Sequence, residues 1–97
     1  MTYTVHPGAE SDLADASDFY FAKAGEIVSR RFLAEFDRVV NLLDRNPDAG
    51  VLQKNGRRTY HMKVFPYTVV YRRIEISIQV LVVRHQSRQP SYGMRRG

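Results

Sequence analysis

The pattern of apolar positions changes period along the chain, and each change marks an element. Thr2-Tyr3-Thr4-Val5-His6 alternates and is rich in β-formers, which predicts a short opening strand stopped by Pro7-Gly8. Apolar side chains then recur at helical spacing at Ala9, Leu13, Ala16 and Tyr20, with Phe19 flanking. Ala24-Gly25 predicts a break. A longer helix follows, with a stripe of Ile27, Val28, Phe32, Phe36, Val39, Val40 and Leu43, closed by the breaker run Asn46-Pro47-Asp48-Ala49-Gly50. Val51 to Asn55 is expected to be a connector, with Leu52 tucked under the sheet.

Beyond Gly56 the period falls to two. A strand over about Arg58–Val64 would put Tyr60, Met62 and Val64 on one face and Thr59, His61, Lys63 and Phe65 on the other. Phe65-Pro66-Tyr67 is a tight turn. The next strand, about Tyr67–Arg73, sets Tyr67, Val69 and Tyr71 against Thr68, Val70 and Arg72. In the last, about Ile76–Arg84, Ile76, Ile78, Val80 and Val82 alternate with Ser77, Gln79, Leu81 and Val83. Its apolar character on both faces marks a central, covered strand. Short connections make these three strands an antiparallel meander. The expected fold is α+β, one domain over residues 1–97: an N-terminal strand, then a two-helix antiparallel hairpin packed on an antiparallel sheet, in the order β-α-α-β-β-β. A polar, basic tail follows, in which Pro90 and Gly93 argue against a long helix.

Composition narrows the chemistry. The chain has no cysteine, so disulfides and thiolate metal sites are excluded. No apolar run approaches the about 18 residues of a membrane span, and no signal-type start is present, so a cytoplasmic protein with no membrane partner is expected. Residues 1–48 hold five Lys/Arg against nine Asp/Glu, a net −4; residues 49–97 hold ten Lys/Arg against Glu75 alone, a net +9. Such a polarised molecule attracts polyanions or an acidic partner segment. Glu10, Asp12, Asp15 and Asp18 fit the positive end of the first helix dipole, without a histidine that would suggest a metal, so neither metal nor cofactor is expected. His6, at a strand end, reads as structural.

Two blocks are more specific: Phe65-Pro66-Tyr67-Thr68-Val69-Val70-Tyr71-Arg72, and Val82-Val83-Arg84-His85-Gln86-Ser87-Arg88-Gln89-Pro90. With the opening Val5-His6-Pro7-Gly8-Ala9-Glu10-Ser11-Asp12-Leu13 and the element order, they resemble the RelE/ParE superfamily of type II toxin–antitoxin toxins over nearly the whole chain. The resemblance implies a growth-arresting toxin neutralised by a cognate antitoxin, whose C-terminal segment wraps the toxin. Operator DNA would be met only through that complex. It implies one of two targets: DNA gyrase, blocked by ParE-like members, or mRNA in the ribosome, cut by RelE-like members.

If the chain were a nuclease, the resemblance would give Lys63 and Arg88 the phosphate, His85 a proton transfer and Tyr92 a stacking role. In either branch, Arg57, Arg58, His61, Arg72, Arg84, Arg95 and Arg96 would receive antitoxin or target. Two departures bear on the choice. Thr68 stands where RelE-like chains carry Arg, and His61 where they carry Lys. Both favour the ParE-like branch and leave enzymatic activity open; the polarised charge also permits a further alternative, a non-toxic nucleic-acid or protein binding module.

Overall fold

The computed structural model describes residues 3–96. Strand β1 (Thr4–Val5) leads into helix α1 (Pro7–Ala24), helix α2 (Glu26–Arg45) and strands β2 (Val51–Leu52), β3 (Arg57–His61), β4 (Tyr67–Ile74) and β5 (Ser77–His85). The sheet order is β1-β5-β4-β3-β2. The three long strands form the expected antiparallel meander, while β1 joins β5 in parallel, making the sheet mixed. Thr2 of the expected opening strand lies outside the described residues.

Local chemistry sets the boundaries. Pro7 starts α1, where its missing N–H costs nothing, and His6 Nδ1 accepts the Gly8 N–H at 2.9 Å. His6, read from the sequence as structural, thus caps the helix. Gly25, at φ 92°, takes the left-handed turn that separates the helices. The hairpin is then fastened by Ser17 and Ser29, whose hydroxyls lie 2.7 Å apart. Arg58 and Tyr71 hold the α2–β2 loop: Arg58 donates to Gly50 O at 2.9 Å, and the Tyr71 hydroxyl donates to Pro47 O at 2.7 Å while accepting from Gly50 N at 2.8 Å. A side chain on Gly50 would meet the Tyr71 hydroxyl at 2.7 Å and Thr59 O at 2.9 Å, so the contact requires glycine.

The core lies between hairpin and sheet. Ala9 and Ala16 from α1, and Phe32, Phe36, Val39, Val40 and Leu43 from α2, cover Val69, Tyr71, Ile78, Val80 and Val83. At one end Tyr20, Phe32, Phe65 and Tyr67 form an aromatic cluster with centroids 5.0–6.2 Å apart. Burial raises the pKa of the Tyr67 and Tyr71 hydroxyls above the ordinary value.

Several expected details are corrected. Ile27, at 71% exposure, stands off the buried stripe of α2. Val51–Leu52 is an edge strand rather than a connector, and Leu52 is exposed rather than tucked under the sheet. Strand β3 stops at His61, so alternation no longer governs the next residues: Phe65 turns into the core with Met62, and Val64 faces solvent. The strongest correction is in β5. Val70 pairs with Val82 but Tyr71 pairs with Val80, leaving Leu81 as a bulge. Past it the faces exchange: Val83 joins the core, while Leu81 and Val82 join Val70 on the opposite face.

Candidate functional site: a basic cleft under a folded tail

The sheet face turned away from the helices is built in rows. Register places His61, Thr68 and Arg84 in one row across β3, β4 and β5, and Thr59, Val70 and Val82 in the next. Arg57, Arg72 and Gln79 form a third, where Arg72 donates to the Gln79 side chain at 3.2 Å. The tail folds back over this face. Tyr92 packs on Val70, Leu81 and Val82. Gly93, at φ 75°, brings the backbone so close to Val82 that a side chain there would lie 2.5 Å from a valine methyl.

Two charged side chains fix the tail. Arg57 donates to three of its carbonyls: Gly93 O at 3.1 Å, Met94 O at 2.7 Å and Arg96 O at 2.5 Å. Burial, then the nearby charges of Arg72 and Arg96, lower its pKa from the ordinary guanidinium value. The other anchor is Asp12, on α1 and only 7% exposed. Its carboxylate accepts from Val83 N at 3.0 Å, from the Tyr92 hydroxyl at 2.5 Å, and from Arg96 at 2.6 and 3.3 Å. Arg96 also donates to Leu81 O at 3.1 Å. Strand β1 pairs with β5 only at Gln79 and Val80, so the β5 edge beyond it would otherwise carry unpaired backbone groups. Asp12 and Arg96 satisfy two of them. The Asp12 hydrogen bond, first, and the Tyr92 contact raise the Arg96 pKa above its usual value.

Between the tail and the β2–β3 loop lies a cleft of about 470 Å³. Lys54, Arg57, His61 and Arg84 bring cationic or titratable groups to it; Val70, Pro90, Tyr92 and Met94 supply apolar surface. No carboxylate lines it among the described residues. His61 Nδ1 lies 2.6 Å from the hydroxyl of the fully buried Thr68, which fixes the ring. Arg84 is half-buried, and among the described residues it makes no side-chain hydrogen bond or ion pair.

The residues singled out from the sequence fall into three places. Arg57, His61 and Arg84 line the cleft with Tyr92, and Arg72 continues the same face. Arg95 and Arg96 are on the tail, Arg95 exposed and Arg96 locked to Asp12. Arg58 points to the helix side, spanning to Asp48 at 3.3 Å.

Of the four residues considered for nuclease chemistry, Arg88 and Tyr92 are brought together, and among the described residues the side chains of His85 and Lys63 bond neither of them. Arg88 lies over the Tyr92 ring, 4.3 Å from its centroid, and Arg96 approaches that ring at 5.0 Å. His85 pairs with Tyr67 across the ladder, and its Nδ1 accepts the Ser87 N–H at 3.0 Å. Lys63 sits in the β3–β4 loop, its N–H directed at Glu35 of α2 at 3.3 Å.

Asp12 and Lys54 were not among the candidates. The signal for Asp12 was present: it lies three residues after Ala9 and four before Ala16, on the buried stripe itself. Lys54 sits in the turn whose left-handed Asn55 (φ 69°) and Gly56 (φ 74°) form the Asn-Gly signature of a hairpin.

Known proteins place this geometry in context. A family model described as the ParE toxin of type II toxin-antitoxin system, parDE, matches residues 3–90. Toxin ParE2 of Mycobacterium tuberculosis, strains CDC 1551 / Oshkosh and ATCC 25618 / H37Rv, is 33% identical over 88 residues, covering 90% of this chain and 83% of that protein. A solved structure, the chromosomal ParDE TA system from P. aeruginosa, matches with a TM-score of 0.77 at 23% identity, over 88% of this chain and 95% of that one; this likeness is one of fold. No helix among the described residues is long and apolar enough to cross a membrane.

Proposed function

The chain belongs to the ParE toxin family of type II toxin–antitoxin systems, and from that premise we propose that it arrests growth by binding DNA gyrase and is silenced when an acidic segment of its antitoxin covers the basic sheet face. It is the toxin component of a two-component system. The choice of gyrase over ribosomal mRNA rests on one observation. Cleavage of RNA needs an acid, a base and phosphate-binding cations around a single point. Here the Tyr92 hydroxyl is bonded to Asp12 while Arg88 lies over its ring, His85 is bonded to Ser87, and Lys63 stands in the β3–β4 loop where its backbone N–H meets Glu35; among the described residues no side-chain bond joins Tyr92, His85 and Lys63. That arrangement supports inhibition by binding.

Pulse-labelling of DNA and protein synthesis just after induction tests the proposal. DNA synthesis is expected to fall first, and purified toxin is expected to inhibit supercoiling by gyrase. An earlier fall in protein synthesis, with cleaved mRNA, would replace gyrase by the ribosome as target. The His85→Ala variant is expected to retain toxicity, since the proposal gives that ring no chemical step.

A further inference from the structure

We infer that the cleft between the tail and the β2–β3 loop is the receptor for one acidic side chain of an extended partner peptide, with Arg84 as its ion-pair partner and the adjoining apolar wall taking the neighbouring apolar residue. The inference rests on the antitoxin reading above and adds to it a single locus and a ligand chemistry.

Three observations carry it. Arg84 is half-buried with its donors unspent among the described residues, although a guanidinium partly removed from water is stabilised by an anion. Arg57 and Lys54 raise the positive potential of the same cleft, and among the described residues no carboxylate lining it balances them. Arg57 itself is occupied by tail carbonyls, so it lends charge while Arg84 offers hydrogen bonds. Val70, Tyr92 and Met94 then give an apolar surface beside the cation, which suits an acidic residue followed by an apolar one.

The occupant is further defined by what the cleft lacks. Single-stranded nucleic acid is held by aromatic faces on which bases stack. Among the described residues of the lining, Tyr92 is the one aromatic ring other than His61, and Arg88 and Arg96 already lie against it. The His61 ring is tied to Thr68. A second copy of this chain could offer its acidic half, but such a contact joins unlike surfaces and propagates into chains of molecules unless it closes into a ring. A separate acidic peptide has neither difficulty.

The test is a titration of the full-length, 15N-labelled protein. The probes are a blocked eight-residue peptide alternating Leu and Glu, its Leu/Gln counterpart, and an eight-nucleotide oligo-dT. The Leu/Glu peptide is expected to shift the Arg84 side-chain N–H resonance and the Lys54 and His61 amides, and the Leu/Gln peptide to leave them. Arg84→Gln should weaken binding at least about tenfold, the low end for truncating a partly buried charge pair. Lys54→Gln, at an exposed site that does not threaten folding, should weaken it about twofold to fivefold. Arg73→Gln, exposed near the end of β4 and outside this cleft, should leave it unchanged.

Equal weakening by Arg73→Gln and Arg84→Gln would reduce the locus to diffuse charge and overturn the inference. Tighter binding of oligo-dT than of the Leu/Glu peptide would assign the cleft to nucleic acid, and concentration-dependent self-association lost in Arg84→Gln would assign it to a second copy. The complex with the antitoxin separates the two levels. Protection of β3–β5 with an unshifted Arg84 side chain would overturn this locus but keep the antitoxin reading. Peptide binding in the cleft with no antitoxin on that face would do the reverse.

Discussion

Replacing Asp12 with alanine should remove a large part of the stability of this domain, and the size of the loss can be worked from its partners. The carboxylate accepts from Val83 N–H, the Tyr92 hydroxyl and two nitrogens of Arg96. Hydrogen bonds to charged groups contribute about 1.5–3 kcal/mol each. Adding four of them would give about 6–12 kcal/mol, as much as a small domain's whole stability of about 5–10 kcal/mol. That sum overstates the loss, because the partners differ in access to water. The Arg96 side chain keeps 19% of its exposure against 4% for Asp12, so the freed guanidinium can reach solvent. Val83 is 2% exposed, and its N–H would be left without an acceptor at about 1–3 kcal/mol. Breaking a buried pair by removing one member costs about 3–5 kcal/mol. The expected loss is therefore about 3–4 kcal/mol. Urea denaturation followed by far-UV circular dichroism measures it: at a slope near 1–3 kcal/mol/M, the midpoint should fall by about 1–4 M with the slope unchanged. Arg96→Ala should cost less, and the double variant little more than Asp12→Ala, since both remove one network. A loss below about 1 kcal/mol, or strict additivity of the two, would refute the view that this carboxylate holds tail, helix and sheet edge together.

Other perturbations test neighbouring parts. Gly50→Ala should destabilise by about 1–3 kcal/mol, because the added carbon meets the Tyr71 hydroxyl and Thr59 O below 3 Å; thermal melting reads it, and a neutral result would mean the α2–β2 loop yields freely. Tyr71→Phe should cost about 1–3 kcal/mol in urea midpoint, since the Gly50 N–H and Pro47 O both lose their buried partner. Glu35 has a depressed pKa, chiefly through its hydrogen bond from Arg38 and also through the Lys63 N–H. The stability it contributes is therefore complete above the usual glutamate value and disappears as pH falls through the lower folded value. Glu35→Gln should flatten the acid limb of a stability–pH curve below about pH 4.5, and an unchanged limb would place the acid sensitivity elsewhere.

The fold was legible where one period governed a whole segment. The helices, the break at Gly25 and the β3–β4–β5 meander follow from apolar spacing and from glycine and proline placement. Errors arose where alternation was carried past its physical limit. Phe65 lies in a loop after β3 has ended, and Leu81 is an extra residue that the pattern of β5 cannot reveal, because Val80, Leu81, Val82 and Val83 are all apolar. Strand β2 pairs through only two residues, and its sequence signal was the Asn55-Gly56 turn rather than its own composition. The candidate site was legible as charge but not as arrangement. Ten basic residues after position 48 announce an anionic partner; only the register separates Arg57, Arg72 and Arg84 from Arg58.

Asp12 shows why the division between an acidic helical half and a basic sheet half is incomplete as a physical description. Among the acids of the first helix, it alone is buried, and it sits where β1 stops pairing with β5. The bulge at Leu81 exchanges the faces of β5, so Val82 turns toward the tail and Val83 toward the core. A tail whose only large apolar side chains are Tyr92 and Met94 has too little apolar surface to hold itself there by burial alone. It is held because one carboxylate faces Arg96 and Tyr92 from one side while Arg57 gathers three tail carbonyls from the other. The basic face that a partner meets is thus partly made by the tail: Pro90, Tyr92 and Met94 complete the cleft in which Arg84 stands. Weakening the Asp12 anchor should therefore loosen partner binding even though Asp12 never faces the partner, whereas Arg84→Gln should weaken binding and leave the tail in place.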